Sequence, residues 1–238
     1  MRERWTLPQL EAQLMRGDWF ASLPPDLRLR LLKLGRIKSF AKGDVLLGPD
    51  LPPAIFVVLR GTVLCSRISE TGQETIYHLG RPGFWFGAAL VLEQQPVRVT
   101  VTAYTPVQAL VFASSEVTHL IAARPEYQAS LARLPLTRVR RLLQMLEQAG
   151  SYDPMARVAA RLHHLRHLDR EGDLSLDKTG LNISQALLAR MTHLSRATVN
   201  RVLGDLARMG IVRLGFRSID IVDPDRLARL ADLTADEL

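Results

Sequence analysis

Asn182-Ile-Ser-Gln-Ala-Leu-Leu-Ala-Arg-Met-Thr-His-Leu-Ser-Arg-Ala-Thr-Val-Asn-Arg-Val-Leu-Gly-Asp-Leu-Ala-Arg-Met-Gly210 reads as two helices around a tight turn. Ser184 and Ser195 each precede a run of helical periodicity, where a hydroxyl oxygen can accept a first-turn N–H that the helix itself leaves unpaired. Leu187, Leu188 and Met191 form the apolar side of the first helix; Val199, Val202, Leu203 and Leu206 form that of the second. Thr192-His193-Leu194 makes the turn, with Leu194 between the helices, and Gly210 ends the second helix. Beyond it, Ile211 to Leu214, a Gly215-Phe216-Arg217 turn and Ile219 to Val222 predict a hairpin wing.

Opposite the apolar side of the second helix, Arg196, Ala197, Asn200 and Arg201 fall within an arc of about 140°, at 100° per residue. A helix presenting such a face at its N-terminal end fits the major groove of duplex DNA. There the arginine fork matches guanine O6 and N7, and asparagine matches the adenine edge. Ser184, Ser195, Thr198 and the helix N-terminal amides suit phosphate, and Arg217 in the wing turn is a further predicted DNA contact. The charge agrees. Of a formal net charge of +7, from 31 basic and 24 acidic residues, +5 lies between Asn182 and Arg217. That stretch holds Arg190, Arg196, Arg201, Arg208, Arg213 and Arg217 against one acid, Asp205. All six are arginine, the side chain suited to forked contacts with phosphate and guanine.

Upstream, the text changes character twice. Leu7 to about Lys33 reads helical, broken by Pro24-Pro25, with a short helix end at Trp19-Phe20. From Ile37 to Phe112 it reads as short strands and turns: Ile55 to Leu59, Thr62 to Ile68, a hairpin turn at Glu70 to Gln73, Glu74 to Leu79, Val97 to Ala103 and Val107 to Phe112. Several short strands at this spacing indicate a β-sandwich or β-roll. A long helix then runs from Pro125 to about Ala149. Ala129, Ala132, Leu136, Val139, Leu143 and Leu146 follow the three-four spacing of a coiled-coil seam, whereas Leu131, Leu134, Leu142 and Met145 form a second apolar face. One face is expected against the chain's own sensor region, the other against a twin helix, so that Leu136, Val139, Leu143 and Leu146 are the predicted dimer interface. Pro135 inside this helix is expected to kink it or to remove one hydrogen bond. Gly150 to Pro154 is a break in which Asp153 caps the next helix. Met155 to about Leu168 is that helix, and Arg170 to Lys178 a polar loop. The expected class is α+β: residues 1–124 a sensor domain, 125–150 a dimerisation helix, 151–238 a winged helix-turn-helix.

Several functions find no support in the residues. No apolar run approaches the roughly 20 residues of a membrane span, and Met1 to Leu10 lacks the apolar stretch of a secretory signal, so a cytoplasmic location is expected. Cys65 is the one cysteine, which excludes internal disulfides and a cysteine-rich metal or iron–sulfur site. No Gly-rich phosphate loop, nucleophile elbow or His-Glu-x-x-His motif is present, so no catalytic residues are assigned and an enzyme is not expected. His163, His164 and His167 read as a solvated helix face and not a metal site; Cys65 reads as a buried structural thiol, and His78 as a surface residue. A winged helix that docks only on another protein is the competing reading, and a steep loss of affinity with salt separates DNA binding from it.

At these residues the chain closely resembles the Crp/Fnr superfamily of regulators. Gly43-Asp44, Arg60-Gly61, Gly72, Pro82-Gly-Phe-Trp-Phe-Gly87, Arg98 and Pro125 fall in the family's order, and Ile183-Ser-Gln and Leu194-Ser-Arg-Ala-Thr-Val-Asn-Arg201 resemble its helix-turn-helix. The resemblance implies an N-terminal β-roll of the cyclic-nucleotide-binding jelly-roll type. It also implies a homodimer on an inverted-repeat operator of double-stranded DNA and contact with RNA polymerase, for which Asp169 to Lys178 is the candidate by family position. A small-molecule effector in the roll would reset the DNA-binding domains through the long helix. The implied effector pocket comprises Gly87, Ala88, Ala89, Arg98, Val99, Leu142 and Leu143. Here the chain departs from the cyclic-nucleotide pattern. Gly87-Ala88-Ala89 replaces Gly-Glu-Leu and so lacks the ribose acceptor, Arg98-Val99 replaces Arg-Ser, and Leu142 and Leu143 stand where hydroxyls would meet adenine. Three missing polar partners at about 1–1.5 kcal/mol each predict cyclic AMP binding weakened by roughly hundreds-fold. An anionic or mostly apolar effector, or none, is expected, and no cofactor; haem, with Cys65 and His78 in the roll, is the alternative kept open. Ala197 stands where the cyclic AMP receptor has Glu, which predicts a related but relaxed half-site.

Overall fold

The computed structural model describes residues 5–72, 74–93, 99–149, 153–172, 180–181, 183–215 and 218–231, with backbone alone for 93, 137–138, 140–149, 167–172 and 180. The described residues form two compact units, the first ending at Val139 and also taking in Glu171 and Gly172, the second starting at Arg140.

The first unit opens with three short helices, α1 (Leu7–Leu14), α2 (Asp18–Ala21) and α3 (Pro25–Leu34). Strands β1 (Arg36–Phe40), β2 (Val45–Leu47), β3 (Ala54–Arg60), β4 (Val63–Ile68), β5 (Glu74–Gly80) and β6 (Trp85–Phe86) follow. Then come α4 (Ala88–Glu93), β7 (Thr100–Ala103), β8 (Val107–Ala113), α5 (Ser114–Ala123) and α6 (Glu126–Ala149). The strands form two antiparallel four-stranded sheets, β1-β8-β3-β6 and β2-β7-β4-β5.

The period-2 alternation of strand side chains sorts β3 and β8 into two cores. Ile55, Val57, Leu59, Leu110 and Phe112 point to a core shared with the helices, alongside Leu10, Phe20, Leu27 and Leu31. Ala54, Phe56, Val58, Ala109 and Val111 point into the roll, against Leu46 and Leu47 of β2, Val63 and Cys65 of β4 and Val101 and Ala103 of β7. This is why Ala54 to Leu59 is an unbroken apolar run: both of its faces are buried. Within Pro82 to Gly87 the same alternation sends Trp85 to the helical core, where its ring meets Trp19, Phe20 and Phe112. Phe86 goes into the roll, stacked on Phe56.

The helix α6 runs through Pro135. Its first turns are pinned to the N-terminal helices: the Trp19 indole N–H donates to the Ser130 carbonyl at 2.9 Å, and the Tyr127 hydroxyl donates to the Asp26 carboxylate. Arg124 lies 3.6 Å from the same carboxylate.

The second unit takes α6 from Arg140 and α7 (Pro154–Gly172) as far as Arg170, and contains β9 (Gly180–Leu181), α8 (Gln185–Thr192), α9 (Arg196–Arg208), β10 (Val212–Gly215), β11 (Ser218–Ile221) and α10 (Pro224–Leu230). Asp153 caps α7, its carboxylate accepting the Met155 and Ala156 N–H groups at 3.0 and 3.2 Å. The helix continues to Gly172, into sequence that also reads as its polar flank. The expected loop therefore starts later than Arg170, and residues 173–178 lie outside the described set. A second correction concerns His163. It is 5 % exposed and belongs to the interior side of α7 with Val158, Leu162 and Leu165, while His164 is half-buried. Arg161 is buried on the same helix, and desolvation pushes its guanidinium down to about 10. The predicted two-stranded wing is a three-stranded sheet, β10-β11-β9, in which Leu181 pairs with Ile219.

Candidate nucleic-acid interface

Each sequence-predicted feature of the helix pair has a structural counterpart. The Ser184 hydroxyl accepts the Leu187 N–H at 3.1 Å and opens α8. The Ser195 hydroxyl accepts the Thr198 N–H at 3.0 Å and opens α9, and the Ser195 and Thr198 hydroxyls lie 2.8 Å apart. Between the helices His193 takes the left-handed conformation, with φ at 53°, which lets the chain reverse while the Leu194 N–H reaches the Ala189 carbonyl at 3.1 Å. Leu194 is half-buried. Leu187, Leu188, Met191, Val199, Val202, Leu203 and Leu206 are all buried, each contributing about 1.5–3 kcal/mol by leaving water.

The end of α9 is fixed as firmly as its start. Gly210, at φ 72°, closes a Schellman motif in which the Ile211 N–H meets the Leu206 carbonyl and the Gly210 N–H meets the Ala207 carbonyl, both at 3.0 Å. The Arg226 guanidinium of α10 also donates to the Met209 carbonyl at 3.0 Å.

Away from this packed side, Ser195, Arg196, Ala197, Asn200 and Arg201 are exposed together, and Thr198 and Ser184 are half-buried. The described residues of the predicted face are therefore accessible, with Thr198 and Ser184 at its edge. Arg217 lies outside the described residues. Arg190, Arg208 and Arg213, part of the local excess of positive charge, are exposed as well. Arg208 is engaged by Asp205 one turn earlier, which moderates its charge.

In the first unit, Gly87 stands at φ 90°, and a Cβ there would come within 2.0 Å of the Ala54 carbonyl oxygen. Only glycine fits this turn. Ala88 follows as a buried residue at the start of α4, 5 % exposed, and Ala89 and Val99 are half-buried. No carboxylate projects from positions 88 and 89. Arg98 and the side chains of Leu142 and Leu143 lie outside the described residues. Cys65 is buried, as expected. Its cross-strand partner His78 is half-buried and stacked on Phe84 at 4.3 Å, a correction to its reading as a surface residue. Phe84 can lie there because Gly80 has no Cβ, which would fall 2.3 Å from the ring.

The two apolar faces of α6 separate as predicted where side chains are described. Leu131 is 1 % exposed and Leu134 packs against the helical core, whereas Leu136 and Val139 are 65 % and 52 % exposed. Leu143 and Leu146 fall among the residues described by backbone alone. Among the described residues no helix is long and apolar enough to cross a membrane.

Comparison with known proteins agrees with both units. The profile of the Crp-like helix-turn-helix domain matches residues 156–230, and that of the cyclic nucleotide-binding domain matches 37–124. The chain is 30% identical to a cyclic AMP receptor protein of Thermus thermophilus over 182 residues, covering 76% of this chain and 81% of that one. It is 27% identical over 219 residues to a CRP-like cAMP-activated global transcriptional regulator of Mycobacterium tuberculosis, covering 92% and 98%. Among solved structures, a CRP/FNR-family transcriptional regulator from Thermus thermophilus aligns with a TM-score of 0.64 at 28% identity, covering 83% and 98%. FixK2 from Bradyrhizobium japonicum shares the fold with a TM-score of 0.72 at 23% identity, covering 84% and 99%.

Proposed function

The chain belongs to the Crp/Fnr family of transcription regulators, and from that premise we propose that it acts as a homodimer whose two α9 helices read the halves of an inverted-repeat operator. The observation that carries this is the exposed arc of Arg196, Asn200 and Arg201 at the capped N-terminal end of α9, outside its buried stripe. Ser195, Thr198 and Ser184 serve the phosphates beside it, Ala197 leaves room at one base, and Arg217 reaches the backbone from the wing. The exposed Leu136 and Val139 supply the described part of the dimer seam, continued by Leu143 and Leu146. Once on DNA, in the cytoplasm, the dimer contacts RNA polymerase through the segment around Asp169 to Lys178.

The effector is a small anionic or largely apolar molecule other than cyclic AMP, or the regulator works without one. Ala88 and Ala89 in place of a ribose-binding carboxylate support this, with Arg98 as the remaining cation. Nothing in the reading calls on a cofactor. Genomic footprinting of the purified protein, repeated across a salt series, tests the core of the proposal. Inverted-repeat sites whose affinity falls steeply with salt are expected, because phosphate contacts release counterions. A monomer that protects no fragment at low salt overturns it. Calorimetry with cyclic AMP tests the effector reading; tight binding overturns that part alone.

A further inference from the structure

One residue on the reading face has no explanation inside its own unit. Gly204 sits in the interior of α9, which runs on to Arg208 and its C-cap Met209. Its backbone is not in the left-handed region that requires glycine. Among the described residues, a Cβ built on it meets nothing within 4 Å. Neither its conformation nor the packing of the described residues calls for glycine, yet glycine is among the weakest residues in a helix interior.

Its direction on the helix supplies the missing reason. Taking Arg196 as the origin and 100° per residue, Asn200 lies at about 40°, Gly204 at about 80°, Ala197 at about 100°, Arg208 at about 120° and Arg201 at about 140°. The buried Val199, Val202, Leu203 and Leu206 lie between about 240° and 340°. Gly204 and Ala197 therefore lie within about 30° of the line farthest from the core, about 10 Å apart along the axis, with Arg196 on one side and Arg201 and Arg208 on the other. The face is a shallow floor between long cationic side chains.

Resting on the groove-docking role of α9 proposed above, we infer that Gly204 is a positioning residue for DNA binding. Its missing side chain lets the third turn of α9 come into direct van der Waals contact with the duplex, so that the arginines on both sides reach their partners. The space that is empty in the free protein is filled by DNA. Glycine lowers the stability of the free helix and improves the fit of the complex.

The two effects have opposite signs, and this makes the inference testable. Gly204→Ala and Gly204→Leu, in the full-length protein, are compared with wild type by thermal melting and by fluorescence anisotropy, using a duplex that the wild-type protein enriches from a randomised pool. Gly204→Ala is expected to raise the melting temperature by about 2–4 °C and to weaken binding several-fold. Gly204→Leu is expected to remain folded and dimeric and to weaken binding by about tenfold or more, equivalent to about 1.4 kcal/mol. Wild-type affinity in folded Gly204→Leu overturns the inference. Arg201→Ala is the parallel control. If it loses binding while Gly204→Leu keeps it, the docking stands and the role of Gly204 falls; if the wild-type protein enriches no duplex, or Arg201→Ala binds as wild type, the docking and the inference fall together.

Discussion

Arg201→Ala should separate DNA reading from folding more cleanly than any other single change. Arg201 is exposed on α9, and among the described residues no acid pairs with it, whereas Arg208 is taken by Asp205. Removing its guanidinium therefore strands no buried or paired charge. Alanine is also the strongest helix former, and surface substitutions of this kind stay within about 0.5 kcal/mol, so the melting temperature should move by no more than about 2 °C. Binding should respond very differently. A forked arginine–guanine contact discriminates by about 1–3 kcal/mol. A two-fold dimer makes it twice, so the loss is about 2–6 kcal/mol, or roughly 30-fold to 10⁴-fold in Kd. Because the contact is to a base and not to a phosphate, the slope of log Kd against log salt should change little. The assay is anisotropy titration at several salt concentrations against the enriched duplex and a variant with the guanine replaced. An unchanged Kd in a folded dimer would refute the docking; so would a loss that appears only as a reduced salt slope, which would make Arg201 a phosphate contact.

Other outcomes follow from the same structure. Ser195→Ala removes the acceptor of the Thr198 N–H and should cost about 1 kcal/mol, lowering the melting temperature by about 2–4 °C; an unchanged melt would mean that the cap contributes nothing. Val139→Asp places a charge on a side chain that is 52 % exposed in the single chain and should shift the sedimentation profile to monomer with little change in the far-UV circular dichroism; a persistent dimer would place the seam elsewhere. The Tyr127 hydroxyl, with help from Arg124, holds the Asp26 carboxyl below its ordinary 3.8. Its stabilising contribution is present above pH 3.8 and is lost as pH falls through the depressed value. Asp26→Asn should therefore flatten the acid limb of the stability curve, and an acid limb as steep as that of wild type would remove Asp26 from the account.

What could be read from the chain alone was governed by burial. β3, β4, β5, β7 and β8 were legible because each has apolar residues on at least one face, and α9 because its caps, apolar stripe and terminating glycine agree. β1, Arg36–Phe40, was not. It is an edge strand whose residues are almost all exposed, so no alternation marks it, and its place is fixed by pairing with β8. β6 and β9 are two residues each, too short for any period. The burial of His163 in α7 is hidden from the sequence for a related reason. A polar side chain carries no sign of its own burial, and His163 is inside because Leu162 and Leu165 beside it are. At the candidate site the residue types sufficed for the face of α9, since exposure there is the complement of a strong apolar stripe. The emptiness above Gly204 had no sequence signal, because a glycine in a helix looks the same whether or not its neighbours approach.

The hydrogen bonds at the two ends of α9, accepted by Ser195 at one and donated by Ile211, Gly210 and Arg226 at the other, also bear on the thermodynamics of association. A reading element that frayed in the free state would lose chain entropy on meeting its target, and that loss would be subtracted from the affinity. A rod already held at both ends forgoes most of it. Mismatched bases should then be rejected through faster dissociation, since the rod cannot bend to accommodate them.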